Sequence, residues 1–347
     1  MTYRAALIGC GSIGKAHAGA YRYHPATKLV AVVDVEEARC REFGQVFEVP
    51  GCYADYREML ERERPDIVSI CTWPQLHLEM TLACADAGVK GILCEKPMAL
   101  KLADVDRMTS YCHAKGVRLV TGHELRFFPH HVQAKRLIDS GEIGQVSWMR
   151  GVRQGGDLVT NAIHTVDLMR YFMNDAPVLW VFGQVEAQTG RTAYGHPTED
   201  SAMGYFGFEG GVRAFLETGA FTPLGNHRVV VFGTEGWLEV NPKDLHDMAG
   251  PHLRFQRRGS GCVEDVTIDN TDHNVRSFVG VLDALVTWLD GGPESPTSAR
   301  NARFSQEAVF AIVESARLGS IVSLPLKTTD QFPNEMLFRV RRVSRPQ

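Results

Sequence analysis

Three short segments carry residues whose types and spacing suit chemistry. The first is Gly9-Cys10-Gly11-Ser12-Ile13-Gly14, a GxGxxG element between an apolar run and a helical pattern. Asp34 ends the next apolar run, 20 residues after Gly14. That context is the fingerprint of a dinucleotide site. Gly9 allows the tight turn, Gly11 lets a pyrophosphate approach the backbone, and Gly14 lets the helix pack close to the strand. The helix start, with Ser12 and Ile13, offers N–H groups and a partial positive charge to phosphate. Asp34 suits the adenosine ribose hydroxyls and repels a 2′-phosphate. Val35, Glu36 and Glu37 follow it without a cation, so NAD is expected ahead of NADP.

The second segment is Cys94-Glu95-Lys96-Pro97, at the C-terminal end of an apolar run, where ligands bind in open parallel sheets. A lone Glu-Lys pair leaving a strand is commonly only surface. Here Pro97 fixes the backbone just after Lys96, and a lysine so placed can exchange a proton when its pKa is lowered. The third runs from Gly155-Gly156-Asp157 through Thr160, Asn161 and His164 to Asp167. In a regular helix Thr160, His164 and Asp167 share a face, with Asn161 one turn before His164. Most helical histidines are structural, but small and polar neighbours frame this one as an acid–base or substrate contact. Asp167 reads as an orienting group rather than a catalyst.

Stepping outward, the elements that must position these residues alternate regularly over residues 1–122. The strand-like runs are Ala5–Ile8, Leu29–Val33, Ile67–Cys71, Ile92–Cys94 and Arg118–Thr121, with helical spacing between them. This predicts a Rossmann-type, doubly wound parallel sheet covered on both faces, within an α/β chain. Residues 123–326 read as a C-terminal α+β domain with a large, mostly antiparallel open sheet. Its helices are expected near 128–139, 160–173, 275–289 and 306–318, and Gly210-Gly211 marks a hairpin. Residues 327–347, ending in Arg339, Arg341, Arg342 and Arg345, read as a solvated tail or contact segment.

On these residues the chain resembles the glucose–fructose oxidoreductase / inositol dehydrogenase / rhizopine-catabolism (Gfo/Idh/MocA) family over nearly its whole length. The glycine loop with His17 three residues on, Thr72-Trp73-Pro74-Gln75-Leu76-His77 and Cys94–Leu100 follow the family's order. So do Gly122–Phe127, Leu137–Gly144 and the helix carrying His164 and Asp167. The resemblance implies reversible oxidation of a secondary alcohol on a sugar, cyclitol or related polyol. Lys96 would bind and proton-couple the reacting hydroxyl, with His164 beside it. Thr72, Trp73, His77, Glu95 and Lys96 join the glycine loop and Asp34 on the cofactor side. His123, Arg126, Arg153, Thr160, Asn161 and His164 fall on the substrate side. Many members carry an aspartate four residues before the histidine, where this chain has Thr160. His123 and Glu124 also replace the common aromatic and asparagine. Relatives that use NAD transiently in glycosidic cleavage, or sense dinucleotides without turnover, are the alternatives.

Composition narrows the remaining classes. Thirty-seven Lys and Arg against 41 Asp and Glu give a formal charge of −4, which argues against nucleic-acid binding. No apolar run reaches the ~18 residues of a membrane span. The N-terminal residues lack a signal-peptide pattern, so a cytoplasmic location is expected. Eight cysteines show no CxxC spacing, and neither a disulfide framework nor a metal site is expected. Apolar stretches in the second half, such as Val229–Phe232, suggest a homodimer or homotetramer.

Overall fold

The computed structural model describes residues 2–220, 222, 226–242, 251–269 and 273–336. It divides into two units, one of Met1–Phe127 with Asp272–Arg303 and the other of Phe128–Thr271 with Phe304–Gln347.

The first unit is built on six parallel strands: β1 (Tyr3–Ile8), β2 (Thr27–Val33), β3 (Gly51–Tyr53), β4 (Ile67–Ile70), β5 (Gly91–Cys94) and β6 (Arg118–Thr121). Their order is β3-β2-β1-β4-β5-β6. Connecting them are α1 (Ser12–Tyr23), α2 (Glu37–Phe47), α3 (Tyr56–Glu63), α4 (Pro74–Asp86) and α5 (Leu102–Ala114). Because side chains alternate along a strand, Ala5, Ile67, Leu93 and Val120 enter one apolar core. Ala6, Val68, Ile70, Ile92 and Cys94 enter the core on the other face. This is the expected doubly wound sheet with one further strand. β3 is a three-residue edge strand, too short to show as an apolar run.

The second unit holds α6 (Pro129–Asp139), β7 (Val146–Gln154), a π-helical turn (Leu158–Ala162) and α7 (Ile163–Phe172). The strands β8 (Val178–Glu186), β9 (Thr192–Ala193), β10 (His196–Pro197), β11 (Ser201–Phe208) and β12 (Arg213–Gly219) follow. Then come β13 (Arg228–Gly233), β14 (Gly236–Val240), β15 (Leu253–Arg257) and β16 (Glu264–Val266). The last elements of the chain, shared between the two units, are α8 (His273–Leu289), α9 (Ala299–Leu318) and β17 (Val322–Ser323). Nine strands form one sheet, β16-β15-β14-β13-β7-β12-β11-β8-β17, in which only β7 and β12 pair parallel. Across it run two rows of side chains. Val181, Phe206, Ala214, Met149, Val231 and Leu238 are buried. Trp180, Arg213, Trp148, Phe232 and Trp237 form a half-exposed row in matching register. Within that row Trp148 and Phe232 stack their rings 5.3 Å apart.

Two expectations need correction. The division is not at a single point. α8, placed in the second domain by the sequence, belongs to the first unit, where Phe278, Val281, Leu282 and Leu285 pack with Ala5, Ile67 and Leu93. An amphipathic stripe shows that a helix needs a partner sheet but not which one. The thiols are also not all free. Cys40 on α2 and Cys52 on β3 are joined, with Cα atoms 6.0 Å apart, because α2 packs over the β2–β3 edge. Residues 327–336, read as a solvated tail or contact segment, make buried contacts. Phe332 is buried against Phe310, and Asn334 donates to Glu199. The four terminal arginines lie outside the described residues.

Candidate active site

In the first unit the loops after β1, β2, β4, β5 and β6 all leave the carboxyl edge of the sheet, and the strand order reverses between β1 and β4. Gly9 has φ of +102°, and a Cβ there would sit 2.5 Å from the Cys71 carbonyl oxygen. A Cβ on Gly14 would come within 2.3 Å of the Gly9 oxygen. At Gly11 the corresponding space is open. α1 therefore starts with no side-chain cap and no acidic residue in its first turn, a terminus suited to phosphate. Beside it lies a cavity of about 360 Å³ lined by Cys10, Gly11, Ser12, Lys15, Arg39 and Phe43, among others. Burial and the Asp34 charge push the Cys10 thiol up to about 12, so it stays protonated near neutral pH.

Asp34 is buried and anchors this loop. Its oxygens accept the backbone N–H of Cys10 at 3.0 Å and of Glu36 at 2.9 Å. With the backbone bonds from Cys10 and Glu36 in place, a ribose diol would compete with Arg39 for the remaining acceptor sites of the carboxylate. The sequence reading found no cation after Asp34. The structure supplies one from the next turn: Arg39 on α2 reaches Asp34 at 3.3 Å and also pairs with Glu36. Residues presented by a following helix do not show in a scan of the strand end.

Glu95 and Lys96 directly follow β5. Glu95 is buried, with Oε1 2.8 Å from His17 Nε2. His17 Nδ1 lies 3.1 Å from Ser69 Oγ, which lies 2.8 Å from the Tyr21 hydroxyl. Burial would raise the Glu95 pKa, but the hydrogen bond and charge of His17 and the charge of Lys96 outweigh it, holding the group below the usual glutamate value. The backbone N–H of Lys96 points at Glu95 Oε2, 3.3 Å away. Glu95 therefore supports the lysine turn from beneath. A Cβ on Gly122 would strike the same carboxylate at 2.3 Å.

His77 is fully buried, with Nε2 3.0 Å from the Thr72 oxygen and Nδ1 3.1 Å from the Pro97 and Met98 oxygens. Burial lowers its pKa against the opposing pull of those carbonyls and Glu95. With its ring tied to backbone, His77 clamps the Thr72 loop to the Lys96–Pro97 turn. Trp73 is 56% exposed beside Thr72. His123 and Arg126 are buried after β6, Arg126 on a short 3-10 turn.

In the second unit, Gly155 and Gly156 take φ of +63° and +70°, and a Cβ on Gly156 would lie 2.7 Å from Asn161. Asp157 caps the following turn, accepting from the Thr160 N–H at 2.7 Å and from the Thr160 hydroxyl. Asn161 donates to Thr160 Oγ1 at 2.8 Å and accepts from Arg153 at 3.1 Å. The turn is π-helical rather than α-helical, and α7 begins only at Ile163, one residue before His164. Glu199 braces the same turn by accepting the Leu158 N–H. Burial and the Asp157 charge raise its pKa. His164 is buried in the first turn of α7, and Asp167 accepts from Ser305 at 2.7 Å. Arg39, Ser69, Asp157 and Glu199 were missed as site residues, although Asp157 stood in the segment already singled out.

Among the described residues no group of three or more His, Cys, Asp or Glu is arranged to hold a metal ion, and no helix is long and apolar enough to cross a membrane. A glycine loop meeting an uncapped helix at the switch point, with a carboxylate at the end of β2, defines the class: an oxidoreductase with an NAD-binding Rossmann domain. The sequence model "Oxidoreductase family, NAD-binding Rossmann fold" matches residues 3–123, and "GFO/IDH/MocA C-terminal domain" matches residues 150–239. The chain belongs to the Gfo/Idh/MocA family of oxidoreductases. It is 31% identical to myo-inositol 2-dehydrogenase of Thermotoga maritima over 251 residues, 67% of this chain and 73% of that protein. It is 29% identical to the scyllo-inositol 2-dehydrogenase (NAD(+)) of Bacillus subtilis, covering 93% of this chain and 97% of that one. Its fold matches the aldose-aldose oxidoreductase of Caulobacter crescentus with a TM-score of 0.81 at 22% identity, over 93% of this chain and all of the other (100%).

Two outcomes follow from this geometry. NAD should bind at least about tenfold tighter than NADP, because Asp34 and Glu36 stand at the loop and occupy Arg39. In Asp34→Ser, Arg39 is released toward a 2′-phosphate and the ratio should shift toward NADP. Calorimetric titration with both dinucleotides decides, and an unshifted ratio in the variant refutes the role of Arg39. The second outcome concerns pH. A folded pKa below the unfolded one contributes stability above the ordinary glutamate range that is lost as pH falls through the folded value. Urea unfolding of Glu95→Gln between neutral and acidic pH should therefore show a weaker acid loss than the wild type. Parallel pH profiles would contradict this reading of Glu95.

Proposed function

We propose that the chain is an NAD-dependent dehydrogenase that oxidises a secondary alcohol of a sugar, cyclitol or related polyol. The observation that carries this reading is Lys96, set directly after β5 at the carboxyl edge of the sheet that bears the glycine loop, over a buried Glu95. The inositol substrates named for its relatives support the substrate class. NAD, when bound, supplies a hydride acceptor at its nicotinamide ring. The Lys96 side chain hydrogen-bonds the oxygen of the reacting hydroxyl; as the neutral amine it takes the hydroxyl proton while the hydride leaves carbon, and the resulting ammonium returns that proton in the reverse direction. His164, on the second unit, serves as an acid–base group or substrate contact. Thr160, Asn161 and Arg153 orient neighbouring hydroxyls, and Thr160, which cannot ionise near neutral pH, acts only by hydrogen bonding. His123 and Arg126 complete the substrate side.

Lys96→Ala removes a hydrogen bond and a proton carrier together. It should lower kcat at least ~10³-fold while changing NAD affinity by less than about tenfold. Lys96→Arg should not rescue it, because guanidinium keeps its proton. The assay follows NADH absorbance over a panel of sugars, cyclitols and glycosides, together with release of aglycone. A Lys96→Ala variant retaining more than about a tenth of turnover overturns the mechanism. Aglycone release without net NADH would move the chain to the transient-oxidation glycosidases.

We also infer a homodimer or homotetramer in which the half-exposed row of Trp180, Trp148, Phe232 and Trp237 is covered by a second copy. Met203 and Tyr205 on neighbouring positions are 42% and 37% exposed, extending the apolar character of this sheet. Light scattering at micromolar concentration should give a multiple of the subunit mass, and Phe232→Glu should return it to one. A wild type of single subunit mass overturns the inference.

A further inference from the structure

The second unit holds another imidazole beside His164 that the proposed reaction does not use. His227 lies just before β13 and is 6% exposed. Its ring centroid is 5.5 Å from that of His164, with the two planes at 85°. Its Nδ1 is 2.9 Å from Oγ1 of Thr165, the residue that follows His164 on α7. The His227 backbone has φ of +58°, in the left-handed region where side chains other than glycine are strained. Its carbonyl accepts a hydrogen bond at 2.9 Å from Asn241 Nδ2.

Asn241 follows β14 and is itself left-handed, with φ of +53°. Val229 pairs with Val240, so the two left-handed residues stand at the same end of one antiparallel pair. Asn241 is completely buried; its N–H donates to the His252 oxygen at 2.9 Å, and its amide nitrogen lies 3.1 Å from His131 Nε2. The ring of His227 is thus fixed by Thr165 while its backbone is fixed independently by Asn241.

A strained backbone at a histidine persists only where its surroundings over-determine it, and glycine would satisfy the same turn at lower cost. What histidine adds is a ring placed edge-on to His164. Edge-to-face packing favours one relative orientation of the two rings, and the Thr165 bond keeps the His227 ring from rotating away. An imidazole that handles a proton must present one particular nitrogen, so its orientation and tautomer have to be held.

We propose that His227 is a positioning residue for the reaction, holding the His164 imidazole in a single orientation and tautomer. The proposal rests on the role given above to His164.

Two variants test it. His227→Asn tolerates the left-handed backbone but deletes the ring, whereas Thr165→Val keeps both rings and removes the hydroxyl that steadies one of them. Each should lower kcat by about 10- to 100-fold, as a misoriented catalytic group does, with substrate KM and NAD affinity changed less than about threefold. The double variant should lose no more than the worse single one, because both break the same arrangement. Isotope-labelled histidine spectra of the ligand-free protein, assigned with His164→Gln, supply a reading that needs no substrate. His164 should show one tautomer in the wild type and a mixture in both variants.

A kcat within about threefold of wild type in both variants, or an unchanged His164 tautomer, overturns the proposal. Should His227→Asn fail to fold, Thr165→Val decides alone. Full activity in His164→Ala would remove the role of His164 and this proposal with it. Loss of activity in His164→Ala, alongside unaffected His227→Asn and Thr165→Val, overturns this proposal only.

Discussion

The hydrogen bond between His17 and the buried carboxylate of Glu95 joins the two ends of the first unit's chemistry. His17 sits one turn into α1, the helix whose start is the phosphate-binding loop, and Glu95 is the residue before the proposed proton carrier. At 2.8 Å, and buried on both sides, the contact gains strength from the low local dielectric. Any shift of α1 relative to β5 would strand a carboxylate away from water, at a cost of several kcal/mol. The glycine loop and the lysine turn therefore share one rigid frame. His77 extends that frame to the loop after β4, and Asp34 does the same for the loop after β2 through the Cys10 N–H. Glu95, His77 and Asp34 each bind backbone and so set where another segment stands.

A similar arrangement recurs in the second unit. Asp157 and Glu199 both accept N–H groups at the start of the π-helical turn, and their mutual repulsion is part of what raises the Glu199 pKa. Two carboxylates at one helix start are tolerated because free N–H groups and the positive end of the helix face them. The turn they hold presents Thr160 and Asn161 just ahead of His164.

Legibility in the sequence followed the range of the interaction. The glycine loop, Asp34 and the strand preceding Lys96 were readable because neighbouring residues enforce their conformation. Gly9 must be glycine for a positive φ and a close backbone contact, whatever the rest of the fold does. α8 was readable as a helix but not as part of the first unit, since its choice of sheet depends on contacts made across more than 150 residues of sequence. The π-helical turn was read as ordinary helix. Its extra residue is set by left-handed Gly155 and Gly156 and by carboxylates arriving from two segments. Arg39 gives no signal at the strand end, because it reaches Asp34 from the following helix. His227 carries no local signal at all, and only its φ and its ring neighbours mark it.

Those long-range effects bear on the main departure from the family's pattern, Thr160 in the position where many members have aspartate. Read along the sequence, the substitution deletes a carboxylate from the proton-handling segment. In the folded chain a carboxylate stands three residues earlier, and the Thr160 hydroxyl donates to it while accepting from Asn161. Thr160 is thereby polarised: its proton is committed to Asp157, which increases the electron density on its oxygen. A hydroxyl in that state favours a donor partner, such as a second substrate hydroxyl, over an acceptor. The carboxylate is displaced along the segment to Asp157 rather than abolished, with the Thr160 hydroxyl bonded to it. Under the proposed mechanism, proton handling falls to Lys96 and the imidazole of His164, and the orientation of that ring becomes the most demanding requirement on the second unit.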